Sequence, residues 1–146
     1  MRRTDWRGRA GRGYLVLIVL AAALALIPAS SRGANAAAGN TIRVTDADNG
    51  RTVTIASGDT LVVSLASTPG TGFGWKVAQI DDKVLRKTGA PELIHLPNPM
   101  PGAPATQVFR FVATGGGSTG LELEYVRPWE HGTPPARTFK LGVTVR

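Results

Sequence analysis

The sequence contains no cysteine. That excludes a thiol nucleophile, a cysteine-ligated zinc site and any disulfide staple. A domain without staples must be held by its core alone, and about 100 residues suffice for that. Histidine is nearly as scarce. His95 and His131 are the only two, far apart in the chain, and they supply too few ligands at useful spacing for a metal site. No metal and no cofactor are therefore expected. No nucleophile-elbow pattern is present, and the chain is not expected to be an enzyme. Beyond residue 39 there is also no helical period, no internal repeat and no flexible linker.

Charge of one sign is less abundant than its sum suggests. The formal net charge is +7. Six arginines and one acid, Asp5, precede residue 39 and account for +5, leaving 11 basic and 9 acidic residues, or +2, over 39–146. That small surplus gives no electrostatic case for nucleic acid.

The arginines at 2, 3, 7, 9 and 12 precede an apolar run from Leu15 to Ala29, followed by Ala34-Asn35-Ala36 and Ala36-Ala37-Ala38. A cationic start, an apolar run and an A-x-A site are the three parts of a secretory signal. The run is shorter than the roughly 20 residues of a bilayer span. Residues 1–38 are thus expected to be a signal peptide, with cleavage after Ala36 or Ala38. The mature domain would be 39–146, secreted or placed in the periplasm or cell envelope, with no membrane contact after cleavage.

That domain reads as strands. Apolar and polar residues alternate with period two, which sets one face of a strand in a core and the other in water. The alternation predicts strands over 41–46, 51–56, 59–67, 74–80, 92–96, 107–114, 121–126 and 139–146. Asp48-Asn49-Gly50 between the first two suggests a tight hairpin turn. Seven to eight short strands with turn signals between them predict an all-β, immunoglobulin-like β-sandwich. Trp75 and Tyr125 fall on core positions, and Glu122 and Glu124 on a solvated face.

An up-and-down count of these strands brings three loops to one pole: 68–73, 97–105 and 127–136. Their content is unusual. The first reads Thr68-Pro69-Gly70-Thr71-Gly72-Phe73, the second holds four prolines around Gly102-Ala103-Pro104, and the third begins Arg127-Pro128-Trp129. Proline lowers the entropy of the free loop, and glycine lets a backbone approach another surface closely. Trp129, just past a strand end, has the character of an interface anchor. Arg127 would either pin its own loop or touch a partner. Gly115–Gly120 has the letters of a phosphate loop, but a strand and not a helix follows it.

With these residues on the page, the chain resembles the chagasin-type cysteine protease inhibitors. Thr68-Pro69-Gly70-Thr71-Gly72-Phe73-Gly74-Trp75 is similar to the family's Asn-Pro-Thr-Thr-Gly-aromatic-x-Trp signature. Arg127-Pro128-Trp129, after Leu123-Glu124-Tyr125-Val126, resembles its Arg-Pro-Trp signature. The family's further glycine-rich loop has two candidates, and the pole count assigns it to Gly102–Ala105 in preference to Gly115–Gly120. The resemblance runs from about Thr41 to Arg146. It implies a monomeric inhibitor whose three loops enter the active-site cleft of papain-like cysteine proteases. The implied contact residues are Thr68, Pro69, Gly70, Thr71, Gly72, Phe73, Gly102, Ala103, Pro104, Arg127, Pro128 and Trp129. Two positions depart: Thr68 stands where the family usually has Asn, and Gly70 where it usually has Ser or Thr. The bare tip at Gly70 motivates the alternative, a non-inhibitory adhesion or envelope-binding module on the same fold.

Overall fold

The computed structural model describes residues 38–146. The signal peptide expected over 1–38 lies outside them, save Ala38. Among the described residues are nine strands: β1 Thr41–Thr45, β2 Thr52–Ile55, β3 Thr60–Ser67, β4 Gly74–Gln79, β5 Leu85–Lys87, β6 Glu92–His95, β7 Ala105–Ala113, β8 Gly117–Val126 and β9 Arg137–Val145. The only helical pieces among them are single 3₁₀ turns at Asp46–Asp48 and Pro69–Thr71.

The strands form two sheets. One has five strands, in order β1-β3-β7, with β5 and β6 both on the far edge of β7; the other runs β2-β9-β8-β4. β1–β3 and β2–β9 pair in parallel, and every other pair is antiparallel. Alternate residues of both sheets meet between them. Phe109, Phe111, Phe139, Leu61, Leu65 and Leu123 are among the fully buried side chains. Each contributes about 1.5–3 kcal/mol by leaving water, which is how a chain without disulfides holds this sandwich.

Two expectations are corrected. The Asn-Gly turn does not close a hairpin. β1 and β2 lie in different sheets, and the turn carries the chain from one to the other. Its polar groups pair outward: Gly50 N–H donates to the Lys140 carbonyl, the Asn49 side chain accepts from Lys140 N–H and donates to the Thr138 carbonyl, and the Asp46 carboxylate accepts from Ala66 N–H. Asn49 stays at φ −57°, so the two successive positive φ angles of a type I′ turn never form. The strand count is also nine where seven to eight were expected. One strand position along β7 is broken in two: Leu85–Lys87 pairs with Phe111–Ala113, and Glu92–His95 with Ala105–Val108. Leu-Arg-Lys is too short to show a period, so β5 carried no signal.

Other readings hold. Trp75 and Tyr125 are buried. Glu122 and Glu124 sit on the outer face, 3.4 Å from Lys140 Nζ and 3.5 Å from Lys76 Nζ respectively. The glycine run divides: Gly115 and Gly116 form the turn, and Gly117–Gly120 begin β8.

At the pole where β7 meets β8, the chain is tied by a buried acid. Both Asp59 carboxylate oxygens accept backbone N–H groups, from Asn40 and Ala56, each at 2.8 Å. The register places Ser67 opposite Ala105, Gly74 opposite Val126 and Tyr125 opposite Arg137. Those pairings bring the ends of β3, β6 and β8 and the starts of β4, β7 and β9 to the other pole, as the count predicts.

Candidate protease-binding edge

The first loop is set by its own backbone. Pro69 opens a single 3₁₀ turn in which Thr71 N–H and Oγ1 both donate to the Thr68 carbonyl, at 3.0 and 2.6 Å. Gly72 ends it at φ 79°, a left-handed conformation that side chains rarely adopt. The entry is anchored from below, where Thr68 N–H donates to the Tyr125 hydroxyl at 2.8 Å. The exit is anchored by Phe73, stacked on Tyr125 with ring centroids 5.3 Å apart.

Beneath the loop lies a ladder of rings and cations. Arg127 sits over Phe73 and Arg137 over Tyr125, each 4.3 Å from the ring centre. Trp75 lies 5.0 Å from Tyr125. Trp75 Nε1 and Arg137 Nη2 donate to the same Ala66 carbonyl, at 2.9 and 2.7 Å. Gln107 exchanges two hydrogen bonds with the Trp75 backbone, tying the sheets together at this pole. Burial pushes the Tyr125 phenol up, but hydrogen bonds from Ser67 and Thr68 N–H and the charge of Arg137 outweigh it, leaving the phenol below its ordinary value.

The second loop ends in a turn over Met100–Ala103, closed by Ala103 N–H to the Met100 carbonyl at 2.9 Å. Proline at its second position and Gly102, at φ 79°, at its third follow the type II pattern. In the third loop Glu130 N–H donates to the Arg127 carbonyl, and Ala136 N–H returns the chain to Tyr125.

The three loops touch. Arg127 Nε donates to the Thr71 carbonyl at 3.1 Å, and Arg127 Nη1 pairs with Glu130 at 2.9 Å. The Trp129 indole rests on Gly72 so closely that a β-carbon there would collide with it. A β-carbon placed on Gly70 would lie 3.2 Å from the Gly102 α-carbon. The first loop crosses from β3 in one sheet to β4 in the other. The Gly102 loop leads into β7 beside β3, and the Trp129 loop leaves β8 beside β4. The first loop therefore lies between the other two.

All twelve residues expected at the site occur on this edge, with different exposures. Gly70, Thr71, Gly102, Pro104, Pro128 and Trp129 are exposed; Thr68, Pro69, Gly72, Phe73, Ala103 and Arg127 are half-buried. Phe73 and Arg127 face each other, so both brace the edge from within. Trp129 is 63% exposed despite its seat on Gly72. Sequence reasoning missed Glu130, Arg137 and Gln107 as supports. Glu130 carried a signal, an opposite charge three residues after Arg127; the others act across strands and carried none.

The fold and this edge define an immunoglobulin-like sandwich carrying a preformed, three-loop binding wedge. The model of the Chagasin family peptidase inhibitor I42 matches residues 54–143, and the chain belongs to that family. It is similar to amoebiasin-2 of Entamoeba histolytica, 26% identical over 103 residues, covering 70% of this chain and 84% of that protein. It is likewise similar to chagasin of Trypanosoma cruzi, 31% identical over 90 residues, covering 60% and 82%. Among solved structures, the cysteine protease inhibitor EhICP2 from Entamoeba histolytica superposes with a TM-score of 0.66 at 25% identity, covering 73% of this chain and 96% of that one. PbICP-C, solved in complex with falcipain-2, shares the fold with a TM-score of 0.55 at 17% identity, covering 74% of this chain and 100% of that one.

Proposed function

We propose that this chain inhibits papain-like cysteine proteases by lodging its three-loop edge in their active-site cleft. One observation carries the reading. The central loop is held by Tyr125 beneath, Arg127 and Trp129 on one side and Gly102 on the other, so the wedge exists before any partner arrives. A preformed edge loses little conformational entropy on binding. Backbone near Gly70 would lie over the catalytic cysteine, and the flanking loops would grip the cleft walls. The contacts would come from Thr68–Phe73, Gly102–Pro104 and Arg127–Trp129, with Phe73 and Arg127 acting mainly as braces. EhICP2, described as a cysteine protease inhibitor, and PbICP-C, bound to falcipain-2, support this partner class.

The chain performs no chemistry of its own in this reading. Among the described residues no cluster of acids and histidines suits a metal, and the inhibitor needs none. Residues 1–38 direct export, and the domain acts as a monomer outside the cytoplasm or in the cell envelope. Steady-state inhibition of papain by the purified protein tests the function. We expect inhibition below micromolar concentration, weakened by Trp129→Ala by more than about 1 kcal/mol, as for an interface hot spot. Undiminished papain activity at micromolar inhibitor would refute it.

A further inference from the structure

Residues 96–106 contain no charged side chain. Within them Leu96 is 58% exposed and Met100 77%, the latter the most exposed of the large apolar side chains described. Such side chains ordinarily lie inside, and a cluster of them on the surface marks a contact site. This cluster is held stiffly. Pro97, Pro99 and Pro101 each fix φ, Asn98 bends the chain at φ 54°, and the Met100–Ala103 turn closes the tip.

Its place is what gives it meaning. Gly102, two residues beyond Met100, lies against Gly70 of the central loop, while Trp129 lies against Gly72 on the opposite side. The edge thus has an apolar side chain on each flank and a bare glycine in the middle. Gly70 at the tip offers backbone alone, and the Thr71 hydroxyl beside it is already donated to the Thr68 carbonyl, so discrimination among partners falls mainly to the flanks. Trp129 is one flank. We propose that Met100, backed by Leu96, is the second apolar anchor, and that it selects papain-like proteases whose cleft wall offers an uncharged apolar recess. This rests on the inhibitor reading above and adds to it which proteases are accepted. An unbranched thioether adapts to recesses of differing shape. A charged wall would instead lose water against it without gaining a partner, which penalises the wrong protease.

The test uses the purified full chain and a panel of papain-like proteases, some with apolar and some with charged cleft walls. Inhibition constants are measured for wild type, Met100→Leu, Met100→Asp and Trp129→Ala. Met100→Leu should stay within about threefold of wild type, because the swap conserves volume and polarity. Met100→Asp should raise the constant about tenfold or more on apolar-walled proteases, and by clearly less on proteases with basic walls. Its thermal midpoint should match wild type, because the side chain packs on nothing in the core. Trp129→Ala should weaken inhibition of the whole panel. Unchanged constants for Met100→Asp, or one uniform factor across the panel, would overturn the selecting role. Failure of the inhibitor reading looks different: wild type itself would inhibit no member of the panel, and the selecting role would fall with it.

Discussion

The Arg127 guanidinium stacks 4.3 Å from the centre of the Phe73 ring, while its Nε donates to the Thr71 carbonyl. One side chain of the third loop therefore holds both a side chain and the backbone of the first. Of the two roles open to Arg127 in the sequence, the geometry supports the brace. Its charge is already met by Glu130, so little of it is left for a partner.

Arg127→Ala should thus weaken inhibition through loosening, not through a lost contact. We expect about a tenfold higher inhibition constant, of the size that misplacing an interface element produces. Arg127→Lys should restore only part, because an ammonium lacks the planar group that stacks and donates sideways. Hydrogen exchange at Thr71 and Gly72 checks the cause, and both variants should exchange faster there than wild type.

Gly70 stands where the resemblance expects Ser or Thr, and a side chain there would meet the second loop. Gly102 occupies the space beside it, and a new β-carbon at 3.2 Å would push the second loop outward by a few tenths of an ångström. Gly70→Thr, which restores the family's residue type, should therefore weaken inhibition a few-fold. Inhibition constants for Gly70→Thr and Gly70→Ala check this, and a stronger Gly70→Thr inhibitor would contradict it.

Stability and binding should separate by pole. Asp59 is 6% exposed, and its carboxylate satisfies two backbone N–H groups at the far end of the sandwich. Asp59→Ala leaves both donors unpaired and should cost about 1–3 kcal/mol in urea unfolding. The folded variant should inhibit as well as wild type.

Tyr125 makes a pH prediction. Its phenol is held below the ordinary value of about 10. The unfolded chain then binds more protons than the native one between the lowered value and about 10, so Tyr125 adds stability as pH rises through that window. The contribution is lost as pH falls through the folded value. The unfolding free energy of wild type relative to Tyr125→Phe should accordingly grow across alkaline pH. The phenolate absorbance that disappears in Tyr125→Phe should titrate below 10.

Much of this was legible in the sequence, because period-two alternation is strong where one face is buried. Phe139, Leu141, Val143 and Val145 mark β9 without ambiguity, and the three-loop pole followed from counting strands. The Asn-Gly turn misled, because residue types suit a turn without stating which strands it joins. Here β9 and β3 supply the partners of Asn49 and Asp46, and those contacts are remote in sequence. The brace of Arg127 on Phe73 and the seat of Trp129 on Gly72 were hidden for the same reason. The resemblance placed those residues on one edge, but only their geometry separates the supports from the exposed anchors.

The central claim is that the edge fills a protease cleft. The direct measurement is binding of the purified protein to papain with its cleft free and with its cleft filled by a covalent peptidyl inhibitor. The account predicts submicromolar binding to the free enzyme and none to the filled one. Equal binding to both, or binding to neither, would contradict it.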